Sequence, residues 1–420
     1  MAEFLNGFEE SAGSENYNNK VLLQIGAPGP ATLRDVGKII KDATIQHFDE
    51  TNIHCEEVLQ YGCTSGNFQF KEELAKFLSS NYRNPVHSKD LFVNTGSSQG
   101  LHNLLSVYFQ PGDILFVGDP TYWTLLDTIS HTFDFKIVGI KLDENGMVVD
   151  DLEKYLEAHT LRPSTDRHPF RAVAYVMPVY HNPTTICLSE DRCRKLIKLA
   201  RKYELMVVTD DVYNILTYSA PDSKDPKLAK PPTRMFYLDN KSDPDYKGNV
   251  ISIGTFSKIL CPGLRLGWFE IPHHVLERFN KILLSLSGNG RNPYTSAIVT
   301  AGLKSGSVQQ HVTKLRQFYA EKMKHVQGLI TTSLRSYGVK CSCPDGGIFL
   351  WVVLPEGKLS QSVLDSASNE LSFITGDRCS FSHSHGDGMR ICISFYEPDV
   401  LYPAIEKLCN YIKNMLSRKE

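Results

Sequence analysis

Short unbroken apolar runs alternate along this chain with stretches in which apolar residues recur every three or four positions. "LFVNT" (Leu91 to Thr95), "ILFVG" (Ile114 to Gly118), "AVAYVM" (Ala172 to Met177), "LMVVTD" (Leu205 to Asp210) and "VISIGT" (Val250 to Thr255) have strand length and many β-branched residues. Between them, "SSQGLHNLLSVYF" and "SEDRCRKLIKLARKYE" carry the helical period, the second opening at Ser189. Apolar strands separated by helices predict an α/β class with a mostly parallel sheet covered on both faces. The segment from Ser219 to Asn249 breaks the rhythm, being rich in Pro, Lys and Asp, and predicts a surface excursion. From about Gln309 to Tyr337 the pattern is one long helix. After it "GGIFLWVVL" and "MRICISF" predict strands, with helices around Leu359 to Glu370 and Pro398 to Ser417. That last part predicts a smaller α+β domain.

Length and charge narrow the reading. A chain of 420 residues is too long for one simple core, so two or three domains are expected. A formal net charge of -2 gives no electrostatic case for nucleic acid or an anionic membrane. No apolar run approaches the roughly 20 residues that span a bilayer. The first twenty residues, "MAEFLNGFEESAGSENYNNK", are polar and acidic and predict an N-terminal arm rather than a targeting signal. Ten scattered cysteines without a CxxC pair predict free thiols, a reducing compartment and a cytoplasmic location. His383 and His385 in "SHSHGDG" have no Cys/His cluster beside them, so a polar loop is expected there and no metal.

In an open parallel sheet, ligands sit at the carboxyl ends of the strands. After "LFVN" come Thr95, Gly96, Ser97 and Ser98, opening a helix whose first amides make an anion site. After "AYVM" come Pro178, His181 and Asn182; after "LMVVT" come Asp210, Asp211 and Tyr213; after "VISIG" come Thr255, Ser257 and Lys258. An anion cradle, an amide, a carboxylate with a phenol, and an amine with hydroxyls are the parts that pyridoxal 5'-phosphate requires. It takes a lysine for its Schiff base and a carboxylate for its ring nitrogen. Arg265 is a further cation for the phosphate, and Tyr122 in "GDPTYW" offers a stacking ring.

Nine segments in this order, "GAPGP", "YGCTSG", "TGSSQGL", "GDPTY", "HNPT", "DDVY", "SKILCPGLRLGW", "PDGGIFLW" and "GMRICISF", span nearly the whole chain from about Leu23. Together they resemble the class I/II aminotransferases among the fold-type I pyridoxal-phosphate enzymes, and within them the 2-aminoadipate and kynurenine aminotransferase branch. The resemblance implies a three-layer, aspartate aminotransferase-like large domain over residues 48–305. It also implies a smaller domain made of 21–47 and 306–420, beside the arm at 1–20. It makes Lys258 the Schiff-base lysine and Asp210 the partner of the ring nitrogen, with Asp211 as its exposed neighbour. Asn182 and Tyr213 would contact the phenolic oxygen. Gly96, Ser97, Ser98, Ser257 and Arg265 would hold phosphate, joined by Thr255, and Tyr122 would stack on the ring.

Tyr61 resembles the tyrosine that reaches the phosphate of the neighbouring subunit, which implies a homodimer with shared sites. Arg390 would grip the substrate α-carboxylate, with Gly26 letting the chain pass close by. The implied reaction moves an amino group from an L-amino acid to a 2-oxo acid in a ping-pong cycle, with 2-oxoglutarate as the expected acceptor. The donor is not legible. Arg34 and Arg291 are the candidates for a side-chain carboxylate, though each is expected to be solvated. Two other readings share the motifs: a lyase on the same fold, such as an aminocyclopropane-carboxylate synthase or a carbon–sulfur lyase, and a non-enzymatic effector-sensing module. Only about twenty residues precede Val21, fewer than a DNA-binding domain of ordinary size.

Overall fold

The computed structural model describes residues 20–49, 55–218, 231–288 and 291–417. The expected N-terminal arm, apart from Lys20, lies outside the described residues, as does 219–230 of the expected surface excursion. In chain order the strands are β1 (Val21–Leu22), β2 (Leu91–Asn94), β3 (Ile114–Asp119), β4 (Lys136–Asp143), β5 (Gly146–Met147), β6 (Ala172–Val176) and β7 (Leu205–Asp210). They continue with β8 (Val250–Thr255), β9 (Gly267–Glu270), β10 (Lys340–Cys341), β11 (Phe349–Val353), β12 (Leu371–Ser372), β13 (Ile374–Thr375) and β14 (Gly388–Cys392).

The large sheet has the order β2-β9-β8-β7-β6-β3-β4-β5. Its centre is parallel, from β8 through β7, β6 and β3 to β4. β9 runs antiparallel between β2 and β8, and β5 is an antiparallel edge on β4. The hydrophobic pattern predicted neither β4 nor β9. β4 interrupts its apolar run with Gly139 and Lys141 and is mostly not buried, and β9 is four residues long behind the polar Arg265.

β6, β7 and β8 are buried along their whole length, which is why they read as unbroken apolar runs. Strand parity divides their side chains between two faces. Val173, Tyr175, Met206, Val208, Ile251 and Ile253 join the core that includes Leu104 and Leu105 of the helix Ser97–Tyr108. Ala172, Ala174, Leu205, Val207 and Val250 join a second core under the helices Val149–Ala158 and Glu190–Tyr203. The second of these helices has Glu190 and Asp191 in its first turn and Arg201 and Lys202 in its last, matching its macrodipole. Each fully buried Val or Ile is worth about 1.5–3 kcal/mol, so the two cores fix the parity of every central strand.

Beyond the large sheet, β10, β11, β14 and β13 make a four-stranded antiparallel sheet. The long helix Ser307–Leu334, continued as a tighter turn to Tyr337, packs against the C-terminal helix Pro398–Ser417. β1 pairs in parallel with β12, so the first described residues belong with the C-terminal part. Among the described residues no helix is long and apolar enough to cross a membrane.

Candidate active site

A cavity of about 580 Å³ opens at the carboxyl ends of β6, β7 and β8, where the loops after these strands meet the segment around Gly26 and the strand β14. Its wall includes Ser97, Ser98, Tyr122, Asn182, Asp210, Tyr213, Ser257, Lys258, Arg265 and Arg390, together with Gly26. The ends of separate strands and two different sheets therefore converge on one space.

Lys258 stands one turn past the end of β8, held there by Phe256, Ile259 and Leu260, which are buried on either side of it. Its amine donates to the Gly26 carbonyl at 2.6 Å. Burial pushes its pKa below the usual lysine value, and Arg390 and Arg265 push the same way. A lysine held less basic than usual is a better nucleophile near neutral pH. A Cβ at Gly26 would lie 2.9 Å from Cζ of Phe349, so a larger residue there would have to displace that ring. Phe349 also packs edge-on against Tyr213 and lies 4.3 Å beneath the Arg390 guanidinium.

Asp210 is the last residue of β7 and, by parity, shares the face of Met206 and Val208. Its Oδ2 accepts the Tyr175 hydroxyl at 2.5 Å, and its Oδ1 is buried with no partner. Burial raises its carboxyl to about 6, opposed first by the Tyr175 hydrogen bond. Asp211, expected as an exposed neighbour, is instead 2% exposed. Parity sends it to the opposite face, which helices cover as well. There its Oδ2 accepts from Thr209 at 2.6 Å and Ser252 at 2.5 Å, and its Oδ1 from Asn214 at 3.0 Å.

Gly96 precedes the helix Ser97–Tyr108 at φ +100°, and a Cβ there would lie 2.9 Å from Nη2 of Arg265. The missing side chain lets the guanidinium come up against the start of the helix, so it stands beside the first helical amides, none of which a capping side chain claims. Arg265 itself takes a left-handed conformation at φ 46°, where Asn292 donates to its carbonyl. Thr255 is not on the cavity wall: it is buried, and its hydroxyl donates to Ser257 Oγ at 2.9 Å. Tyr61 is also off the wall and 72% exposed.

Arg390 on β14 is 3% exposed. It donates through Nη1 to Asn182 Oδ1 at 3.0 Å and through Nη2 to the Gln24 carbonyl at 2.7 Å, while its Nε is buried and unpaired. Burial drives His181 down to about 3, so this neighbour of Asn182 stays neutral. Arg34 is exposed, as expected. Arg291 is not solvated: its guanidinium lies 5.2 Å over the Phe92 ring, and both Nη atoms are buried without a partner.

These residues fit pyridoxal phosphate on three independent counts. A buried carboxylate oxygen lacks a hydrogen-bond partner, an amine stands in the same cavity, and an arginine lies against the uncapped start of a helix on the cavity wall. The sequence pointed to the polar and charged groups that converge here, but among the wall residues it did not single out are Tyr175 and Phe349. Tyr175 is hidden within an apolar run, and only the pairing of β6 with β7 brings it to Asp210.

The model of the family described as aminotransferase class I and II matches residues 18–407. Aromatic-amino-acid aminotransferase 1 of Thermococcus litoralis is 27% identical over 396 residues, covering 94% of this chain and 88% of the relative. The mitochondrial kynurenine/alpha-aminoadipate aminotransferase of Bos taurus is 24% identical, covering 94% and 92%. A solved structure of kynurenine aminotransferase from Pyrococcus horikoshii, in complex with PMP, is similar at a TM-score of 0.79 and 28% identity, covering 100% of this chain and 96% of that one.

Proposed function

The chain belongs to the class I and II aminotransferases, and on that premise we propose that it transfers the amino group of an aromatic L-amino acid to 2-oxoglutarate at the cavity around Lys258. It is a pyridoxal-phosphate-dependent transaminase that acts on amino acids and 2-oxo acids in two half-reactions at one site. The observation that carries the assignment of roles is the convergence of the Lys258 amine, the unpaired Asp210 Oδ1 and the Arg390 guanidinium on one cavity.

When bound, pyridoxal phosphate supplies an electron sink for the substrate Cα and stores the amino group between half-reactions. In this reading Lys258 carries the cofactor covalently. Its amine, when free, would be the base that takes and holds the proton of the substrate Cα. Asp210 would hold the ring-nitrogen proton through Oδ1. Asn182 and Tyr213 would contact the phenolic oxygen, and Tyr122 would pack on the ring. Ser97, Ser98, Ser257 and Arg265 would hold the phosphate beside Gly96, with Thr255 fixing the Ser257 hydroxyl. Arg390 grips the α-carboxylate, and Gly26 lets the chain pass beside it.

The aromatic donor is supported by the wall itself. Tyr122, Trp123, Phe133, Tyr213 and Phe349 line the cavity. The names of the Thermococcus and Pyrococcus relatives agree with such a donor, while that of the Bos relative gives kynurenine beside the dicarboxylic alpha-aminoadipate. We place the small domain at 21–47 with 306–420 and the large domain at 48–305, and the cell compartment in the cytoplasm. The β1–β12 pairing and the free thiols of the described cysteines support these assignments.

The homodimer with Tyr61 at the neighbouring site belongs to the same reading. The helix Pro293–Lys304 packs against the helices Pro30–His47 and Phe68–Tyr82 and the turn Cys55–Leu59. Ile45, Leu59, Tyr61, Phe68 and Tyr294, all exposed, lie on or beside these elements, an apolar face that a second copy would cover. The test of function is an absorbance titration of the holoenzyme with a panel of amino acids, with the products then identified. Aromatic donors should bleach the cofactor band and yield their 2-oxo acids, and 2-oxoglutarate should restore it. Elimination products with release of ammonia would establish the lyase reading instead.

A further inference from the structure

Tyr175 lies on β6, on the face it shares with Met206 and Val208 of the neighbouring β7 and with Asp210 beyond them. It is 1% exposed, so its hydroxyl cannot turn to water, and the partner it finds is Asp210 Oδ2 at 2.5 Å. That leaves Asp210 with one oxygen committed and the other, Oδ1, buried and free. We infer that Tyr175 is a positioning residue for the reaction: it locks the Asp210 carboxylate so that Oδ1 meets the cofactor ring nitrogen, and it weakens that carboxylate as a base so that the proton stays on the nitrogen. The inference rests on the role given to Asp210 under the proposed function.

Two physical effects support it. A carboxylate at the end of a short side chain can present either oxygen, and a donor fixed to one of them removes the alternative. A hydrogen bond to a carboxylate also favours its ionised form. Burial drives Asp210 the other way, and Asp211 behind it adds to that, while Lys258 opposes it. The two remaining phenols at the site, Tyr122 and Tyr213, are held protonated by burial. Tyr175 keeps its own proton across the working range, since burial and the adjacent Asp210 both raise its pKa. It therefore acts as a fixed donor and not as an acid.

The experiment loads wild type, Tyr175→Phe and Asp210→Asn with pyridoxal phosphate labelled with ¹⁵N in the ring, and reads the ring-nitrogen resonance at one pH beside half-reaction kinetics. Tyr175→Phe keeps the ring volume and removes only the donor. It should move the resonance toward the neutral position and lower kcat about tenfold with little change in KM. Asp210→Asn should move the resonance further. If Asp210→Asn leaves the resonance at the wild-type position, the role assigned to Asp210 fails. If Asp210→Asn moves it and Tyr175→Phe does not, Tyr175 is packing alone and the inference is overturned. Should Tyr175→Phe not retain cofactor, 3-fluorotyrosine at position 175, a stronger donor of nearly the same shape, should move the resonance toward the protonated side; an unmoved resonance would overturn the inference equally.

Discussion

Replacing Arg390 by lysine keeps a positive charge on β14 and removes the planar fork. In the structure the guanidinium spends Nη1 on Asn182 Oδ1 and Nη2 on the Gln24 carbonyl, and lies over the Phe349 ring. A lysine has one nitrogen and cannot serve these anchors and a carboxylate in a fixed plane. The lost interaction is a charge-assisted hydrogen bond in a desolvated place, about 1.5–3 kcal/mol, which converts to about 10- to 150-fold in kcat/KM. Because every amino acid and 2-oxo acid carries the same carboxylate, the loss should be uniform across aromatic donors and dicarboxylic acceptors. The assay is single-turnover absorbance with each substrate class, with cofactor content and the apoprotein melting temperature measured in parallel to separate binding from folding. An Arg390→Lys variant with wild-type kcat/KM would refute the reasoning, because the α-carboxylate would then be held elsewhere. A loss confined to dicarboxylic substrates would show that Arg390 reads the side chain.

Borohydride reduction of the holoenzyme should fix the cofactor to one peptide containing Lys258, and Lys258→Ala should bind it without that bond; a labelled peptide lacking Lys258 would end the assignment. Asp211→Asn should cost the apoprotein roughly 2 kcal/mol, since an amide NH₂ would face the hydroxyl and amide donors of Thr209, Ser252 or Asn214; an unchanged urea midpoint would contradict this. Asp210 predicts the opposite stability change. Its folded pKa of about 6 lies above the unfolded 3.8, so the apoprotein loses stability as pH rises through that window, and Asp210→Asn should raise the melting temperature above pH 6 with little effect near pH 4. Mixing a Tyr61→Phe variant with Lys258→Ala should restore a minority of complete sites by subunit exchange. A monomer fully active at nanomolar concentration would exclude shared sites.

Several features of the molecule were legible from residue order alone. The unbroken apolar runs of β6, β7 and β8 could only be central strands of a sheet covered on both sides, and the residues just past each run had to gather at one edge. This is why Lys258, Asp210 and Asn182 could be named from sequence, and why topology brings them to one cavity. The hydrophobic pattern did not reveal β4, where glycine and lysine interrupt the run, or β9, which is short and lies behind a polar turn.

Sequence also could not say that Asp211 is buried. Two adjacent carboxylates look alike until strand parity assigns one to the cavity and the other to a second covered face. Arg291 looked like a surface cation, and only the packing of its loop lays it over Phe92. Tyr175 looked like one more apolar residue in a strand. Its hydroxyl acquires meaning from a neighbour 35 positions away, brought beside it when β6 pairs with β7. Local order determines which groups a strand end offers, because the side-chain period of a strand is a property of the backbone. Which of those groups are sealed from water, and what each one touches, depends on the elements laid across the sheet, and those contacts join residues far apart in the chain.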